Sequence, residues 1–352
     1  MREVLSAQQQ RDQDALVLLR EYLGEIGRLM DDPTVQEIML NRPDCIWVEQ
    51  KGTMLLTGIR LSADRVEGAI RALASLCNKI GSGQDLVPLH FDARTAGFRF
   101  AAVLPPLASN GPCLVIRKHA PQVFSLRSYL ERGLLSPLPS PLLTMASFPD
   151  LAKVQHGGQA LYDALSWIMA SGANLLVSGG TSTGKTTLLN ALIELIPREK
   201  RLITLEDTRE LQITHPNTVQ IECSPELGLS MQQAVTLLMR MRPDVPGVGE
   251  VRDGVAFDYL DLLNTGHAGG FASIHADSDE QALYRLEDLA RQNAKADNMP
   301  VGVLRRKIAS AIHFVVQAAR HEGERFPLSL LRVLGVDEQD RYLTQRLYHR
   351  YQ

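Results

Sequence analysis

Residues 174–187 read Asn-Leu-Leu-Val-Ser-Gly-Gly-Thr-Ser-Thr-Gly-Lys-Thr-Thr, and this stretch decides the fold. From Gly179 to Thr186 it fits G-x-x-x-x-G-K-[ST] without a mismatch. Small residues let consecutive backbone N–H groups turn inward on an anion. Lys185 places a point charge against the outer phosphates, and the Thr186 hydroxyl is suited to Mg²⁺. In a chain of this length the pattern arises by chance on the order of once in a hundred sequences. Context makes chance less adequate still. An apolar strand, Asn174–Ser178, leads in, and Leu188, Leu189, Leu192, Ile193 and Ile196 give the helix expected over 185–196 an apolar face. The spacing therefore predicts a strand–loop–helix nucleoside triphosphate site, with Gly180, Thr181, Ser182, Thr183, Gly184, Lys185, Thr186 and Thr187 around the phosphates.

Working outward, the C-terminal half alternates. A helix is expected at 158–171, a strand at Leu202–Leu205, helices at 229–241 and 254–264, and a strand near Phe271–Ile274. That order predicts a RecA-like α/β domain with a parallel-rich, doubly wound sheet over 150–352. Residues 136–149 contain four prolines, which resist helix and central strand, and read as a linker. Residues 1–135 mix one amphipathic helix at 14–31, a helix at 63–79 and short strands at Glu37–Leu40, Ile46–Glu49, Thr53–Ile59, Phe98–Leu104 and Cys113–Arg117. This is the pattern of a smaller α+β domain.

The bulk numbers exclude several classes. The chain has 352 residues, 45 % apolar and 22 % charged, with a formal net charge of −3. Such a balance does not suit a chain that binds nucleic acid by overall charge, and there is no strong evidence for direct nucleic-acid binding. The cysteines at 45, 77, 113 and 223 form no CxxC pair, so neither a zinc site nor a redox motif is expected. No apolar run reaches about 18 residues, so no transmembrane helix is expected, and the N-terminus is too polar for a signal peptide.

Three further segments carry candidate chemistry. Leu202–Leu205 ends in Glu206-Asp207, and carboxylates at that end of a strand belong beside the phosphates. Glu206 is a candidate for Mg²⁺ or water, against the alternative of a solvated acidic turn. Gly249-Glu250-Val251-Arg252 offers Glu250 as general base, with Arg252 as an anchor. Before it, Pro246 and Gly247 are expected to interrupt the strand, leaving Glu250 loosely held and turnover slow. His267 and His275 flank a short strand in a glycine-rich setting, suited to sensing a terminal phosphate, although a lone histidine is more often structural.

In order, GGTSTGKTT, LITLEDTREL, RMRPDVPGVGEVR and NTGHAGGFASIHA resemble the Walker A loop, acidic box, Walker B segment and histidine box of the type II and type IV secretion traffic ATPases. EIMLNRPDCIWVEQKG and FRFAAVLPPLASNGPCLVIRK are similar to the N-terminal domain of the conjugative-transfer, TrbB-like members, so the resemblance spans roughly residues 20–320. It implies an ATP- and Mg²⁺-dependent motor that drives pilus assembly or substrate export. It further implies a homohexamer, with nucleotide held between the two domains, working with secretion or pilus machinery at the cytoplasmic face of the bacterial inner membrane in peripheral association with it.

By the same resemblance Lys185, Thr186, Glu206, Glu250, His267 and His275 carry the motif roles, and Thr186, Glu206 and Glu250 are the metal candidates. Arg240 and Arg252 lie in arginine-bearing segments, and Arg99 and Arg117 would act on the phosphates, with surface ion pairs as the alternative for each. The absent CxxC insertion favours the conjugative branch over type II secretion or pilus assembly. A RecA-type DNA motor, a small-molecule kinase and a nucleotide-dependent scaffold of low turnover remain the rival readings.

Overall fold

The computed structural model describes residues 6–77, 90–95, 97–118, 125–136, 147–266 and 269–351. The chain divides into two compact units, residues 1–141 with 225–229, and residues 142–224 with 230–352.

In the first unit, helices α1 (Ala7–Leu23), α2 (Glu25–Asp31) and α3 (Ala63–Leu76) cover one six-stranded sheet. Its strands are β1 (Val35–Arg42), β2 (Cys45–Gln50), β3 (Thr53–Leu56), β4 (His90–Thr95), β5 (Phe98–Val103) and β6 (Cys113–Lys118). The order is β3-β2-β1-β6-β5-β4 and every pairing is antiparallel. The period-2 pattern fixes the register. Ile38 lies opposite Val48 and Ile116, and Leu40 opposite Ile46 and Leu114, so one face is continuously apolar. Each such side chain, fully buried, contributes roughly 1.5–3 kcal/mol. The single helix expected at 14–31 is instead two. Gly24 sits between them at φ 53°, ψ −111°, a conformation suited to glycine, and the chain turns there. A short helix α4 (Leu126–Glu131) follows the sheet.

The second unit begins with α5 (Leu151–Val154) and α6 (Gly158–Ser171). Most of the stretch expected to be a linker, 137–146, lies outside the described residues, but Phe148 is buried. Its ring stacks on Phe314 at 5.8 Å and meets Trp167 edge-on at 5.1 Å. There follow β7 (Leu175–Ser178), α7 (Lys185–Ile193), β8 (Leu202–Glu206), β9 (Thr218–Glu222), α8 (Met231–Leu238), β10 (Val245–Val248), α9 (Val255–Leu263) and β11 (Phe271–Ile274). The C-terminal part adds α10 (Asp279–Ala290), α11 (Val301–Ala311), β12 (Phe314–His321), β13 (Glu324–Val336) and β14 (Tyr342–His349).

These eight strands form one sheet in the order β14-β13-β12-β7-β11-β10-β8-β9. From β12 to β9 all neighbours are parallel, and β13 and β14 extend the sheet as an antiparallel meander. This is the RecA-like, parallel-rich α/β architecture. β7 runs between β11 and β12 with every residue buried, and so places the loop that follows it at the centre of the sheet's C-terminal edge.

The expected break at Pro246-Gly247 does not occur. Val245–Val248 is a fully buried strand, paired residue for residue with Leu202–Leu205 on one side and with β11 on the other. Glycine is needed there for packing. A Cβ on Gly247 would stand 2.4 Å from Phe271 Cζ and 3.0 Å from Thr204 Cγ2. The neighbouring strands hold the segment extended, and local propensity is overridden.

Candidate functional site

β7 ends at Ser178, and α7 begins at Lys185. Between them the backbone turns through Ser182 at φ 61° and Gly184 at φ 89°, which aims successive N–H groups inward as an anion nest. Gly179 admits no side chain, because a Cβ there would lie 2.5 Å from Thr183 Oγ1 and 2.8 Å from the Ala318 carbonyl. No side chain caps α7 at Gly184, so its first-turn donors face the loop without a local acceptor. The strand is pinned from below by buried Asn174. Its Oδ1 accepts from Gly269 and Gly270 N–H at 2.8 and 2.9 Å, and its Nδ2 donates to the Ala311 carbonyl at 2.6 Å.

Lys185 folds back into the loop. Its Nζ donates to the carbonyls of Gly179 and Gly180 at 2.9 and 3.1 Å and to His275 Nδ1 at 3.2 Å. Burial is the main influence on this ammonium and pulls its pKa below the ordinary lysine value, against the charges of Glu250 and Glu210. On the far side of the ring, His275 Nε2 is 3.4 Å from Glu250 Oε1. Lysine offers only donors and an ionised carboxylate only acceptors, so a neutral ring with its proton on Nε2 satisfies both neighbours.

Glu250 sits just past β10 and is held firmly. Ser273 Oγ donates to the Gly249 carbonyl at 2.6 Å, and Val251 N–H donates to the Ser273 carbonyl at 2.9 Å, tying the segment to β11. Arg252 grips the carboxylate with two hydrogen bonds, Nε to Oε1 and Nη2 to Oε2, both 3.0 Å, while its Nη1 is 3.4 Å from Asp207 Oδ2. Burial would raise the pKa of Glu250. The Arg252 hydrogen bonds and the charges of Arg252 and Lys185 act against it, and the carboxyl is held below its usual value. The loosely held glutamate expected from sequence is thus replaced by a clamped, ionised one.

Glu206, the last residue of β8, is buried and its Oε1 accepts from Glu210 and Leu211 N–H, both at 2.9 Å. Burial dominates and raises its pKa, with those backbone donors acting against it. One of its oxygens is therefore committed to shaping the 206–211 turn. The carboxylate that meets Thr186 is a different one. Thr186 Oγ1 donates to Glu210 Oε2 at 3.2 Å. Among the described residues no cluster of three His, Cys, Asp or Glu side chains is arranged as a metal site. Mg²⁺ nonetheless fits here, because it retains waters and takes phosphate oxygens, needing only one or two protein oxygens.

Lys185, Thr186, Glu206, Glu210, Glu250 and His275 line one open cavity of ≈ 330 Å³, together with Thr181, Ser182, Asp207 and Arg252. Of the other expected residues, Arg240 is exposed just beyond α8 and does not line it, while His267 lies outside the described residues. Arg99 and Arg117 belong to the first unit, where the register sets them directly opposite each other on β5 and β6. Sequence reasoning missed Glu210, Ser273 and Asn174. The LEDTREL segment contained the signal for Glu210, since the residue lies four positions beyond Glu206 in the same acidic turn.

Residues 142–322 match the family model described as Type II/IV secretion system protein. A probable conjugal transfer protein TrbB of Sinorhizobium fredii is 32 % identical over 320 residues, covering 90 % of this chain and 88 % of its own. A type IV secretion system protein VirB11 of Bartonella quintana is 30 % identical over 327 residues, covering 88 % of this chain and 91 % of its own. The crystal structure of the VirB11 ATPase from the Brucella suis type IV secretion system, in complex with sulphate, superposes with a TM-score of 0.78 at 25 % identity, covering 90 % of this chain and 96 % of that one. With the phosphate loop, the acidic turn and the histidine–glutamate pair gathered on one sheet edge, the chain belongs to the type II/IV secretion system protein family.

Proposed function

We propose that this protein is an ATP-hydrolysing, energy-coupling motor of a bacterial type IV secretion or conjugation machine. The observation that carries the reading is the chain Lys185–His275–Glu250, built across three elements onto a phosphate-binding loop. Loop amides and the α7 N-terminus bind the phosphates, and Lys185 neutralises charge on the outer ones. Glu250, kept ionised by Arg252, orients water and takes its proton. His275 links that carboxylate to the lysine, so the arrangement senses the terminal phosphate. Thr186, with Glu210 and the free oxygen of Glu206, would hold Mg²⁺, which supplies charge neutralisation when bound.

Arg99 and Arg117 retain, as proposals, the role of cations for the phosphates, and His267 that of a partner to His275. Arg240 stands apart from the cavity and is assigned no contact in it. Assembly as a homohexamer with inner-membrane secretion machinery is part of the same proposal. No described helix is long and apolar enough to cross a membrane, so peripheral attachment through partners accounts for that location. The continuity of β10 supports this reading over a nucleotide-dependent scaffold of low turnover.

The test is Mg²⁺-dependent phosphate release from ATP by the purified chain beside Lys185→Ala, with sedimentation in the presence of a non-hydrolysable ATP analogue. Turnover that falls by about 10³-fold in the variant supports the assignment. Wild-type turnover in Lys185→Ala sinks it, and a chain that stays monomeric with nucleotide removes the hexamer.

A further inference from the structure

The β12–β13 hairpin carries an arginine on each strand, Arg320 and Arg325. Its register sets Arg320 directly opposite Arg325, two like charges face to face across an antiparallel pair, which is repulsive. Among the described residues neither guanidinium makes a hydrogen bond or ion pair. Other arginines of this unit, such as Arg252, Arg305 and Arg346, are held by carboxylates. Arg325 is exposed, yet its aliphatic stem is packed. Its stem lies over the loop's last glycine, so that a Cβ on Gly184 would come 2.5 Å from Arg325 Cδ and 3.1 Å from its Cβ and Cγ.

Arg325 thereby closes one side of a second cavity, of ≈ 200 Å³, whose other walls include Gly184, Lys185, Thr186 and Thr187 and no acidic residue. The carboxylates and His275 line the other cavity, on the side where the terminal phosphate and attacking water belong. In a loop of this type the backbone amides take the α- and β-phosphates. The Thr187 side is accordingly the nucleoside end.

We propose that Arg325 is a nucleotide-binding residue that contacts the phosphate nearest the nucleoside, supplied by the same chain as the loop. The proposal rests on reading the loop as a nucleoside triphosphate site. An anion there relieves the Arg320–Arg325 repulsion and gives Arg325 the charged acceptor it lacks. Because the contact is to a group common to both nucleotides, it serves ADP and ATP alike.

Calorimetric titration of the full chain with Mg-ADP and with a non-hydrolysable ATP analogue tests this, using wild type, Arg325→Ala and Arg325→Lys. The expected result is about tenfold weaker binding of both nucleotides to Arg325→Ala, by the same factor. The melting temperature without nucleotide should stay unchanged, and the lysine variant should recover most of the affinity. An unchanged Kd in Arg325→Ala overturns the inference, as does a lysine variant as weak as the alanine one. A loss confined to the ATP analogue overturns the assigned end. Absence of ADP binding by the wild type overturns the loop reading itself, whereas wild-type binding with an indifferent alanine variant overturns this inference alone.

Discussion

At one end of the phosphate loop Lys185 faces His275, Glu250 and the Thr186–Glu210 pair; at the other, Gly184 and Thr187 lie beside Arg325, with Arg320 across the hairpin from it. The first end is electrostatically complete before any ligand arrives. Each cation there has an anion or carbonyl, and each carboxylate a donor. The second end is a cavity lined by Arg325 and by no acidic residue. A charge-balanced end can hold groups in the geometry that chemistry needs, because little must reorganise when substrate enters. An end with uncompensated cations contributes affinity instead. The division implies that binding and turnover are separable by mutation.

The most forceful way to break that comparison is to cross it. Glu250→Gln is expected to lower turnover by about 10²- to 10³-fold while leaving ADP affinity within about twofold, the converse of Arg325→Ala. Parallel phosphate-release and calorimetric measurements decide the matter, and equal loss of both quantities in Glu250→Gln would erase the distinction.

Arg252→Ala probes how the balanced end is tuned. Arg252 holds the Glu250 pKa down, so its removal lets that pKa rise. Activity that needs the ionised carboxylate then fails at a higher pH on the acid side, and turnover near neutrality drops about tenfold as the carboxylate loses its aim. A pH–rate profile whose acid limb does not move refutes the role given to the clamp.

Gly247→Ala acts on the same end from beneath. The new methyl group meets the Phe271 ring, and the expected cost is about 2 kcal/mol in denaturant unfolding. The companion Phe271→Leu should recover part of it, whereas a neutral Gly247→Ala would mean that β10 has slack around Glu250.

The smallest effect concerns the meander carrying Arg325. Asp279 is buried and accepts from Arg346 at 3.0 and 3.1 Å and from Ser329 at 2.6 Å. Burial raises its pKa, but these donors outweigh it and the net pKa lies below 3.8. The stabilisation is therefore fully present above pH 3.8 and is lost as pH falls through the lower folded value. Arg346 is partly exposed, so Arg346→Ala should cost about 1 kcal/mol at neutral pH. That difference should vanish in strong acid, and a difference independent of pH would assign the contact to packing.

The outcome of the sequence reading follows from how local each signal is. The loop, β7, β11 and the acidic box were legible because their spacing is a local covalent fact, and the period-2 strands of the first unit for the same reason. Gly24 was misread because a continuous apolar stripe hid a turn that only its backbone conformation reveals. The glycines at 269 and 270, which suggested a phosphate-sensing loop, have a packing reason. A Cβ on Gly270 would strike Leu263 Cδ2 at 2.3 Å, and both amides serve Asn174. Beyond Ile274 the alternation gave no further elements, and three strands and two helices lie there.

By itself the sequence determined the phosphate loop, the parallel α/β class and the identity of the lysine, glutamate and histidine at the site, since these rest on residue type and spacing along one chain. Tertiary structure alone decided that Pro246-Gly247 is a strand, that Glu210 rather than Glu206 meets Thr186, and that Arg325 lies over Gly184 from 141 positions away (325 − 184). Those outcomes depend on which strands become neighbours. Hydrogen bonding and burial across a sheet are cooperative among distant segments, and they override what any short stretch prefers.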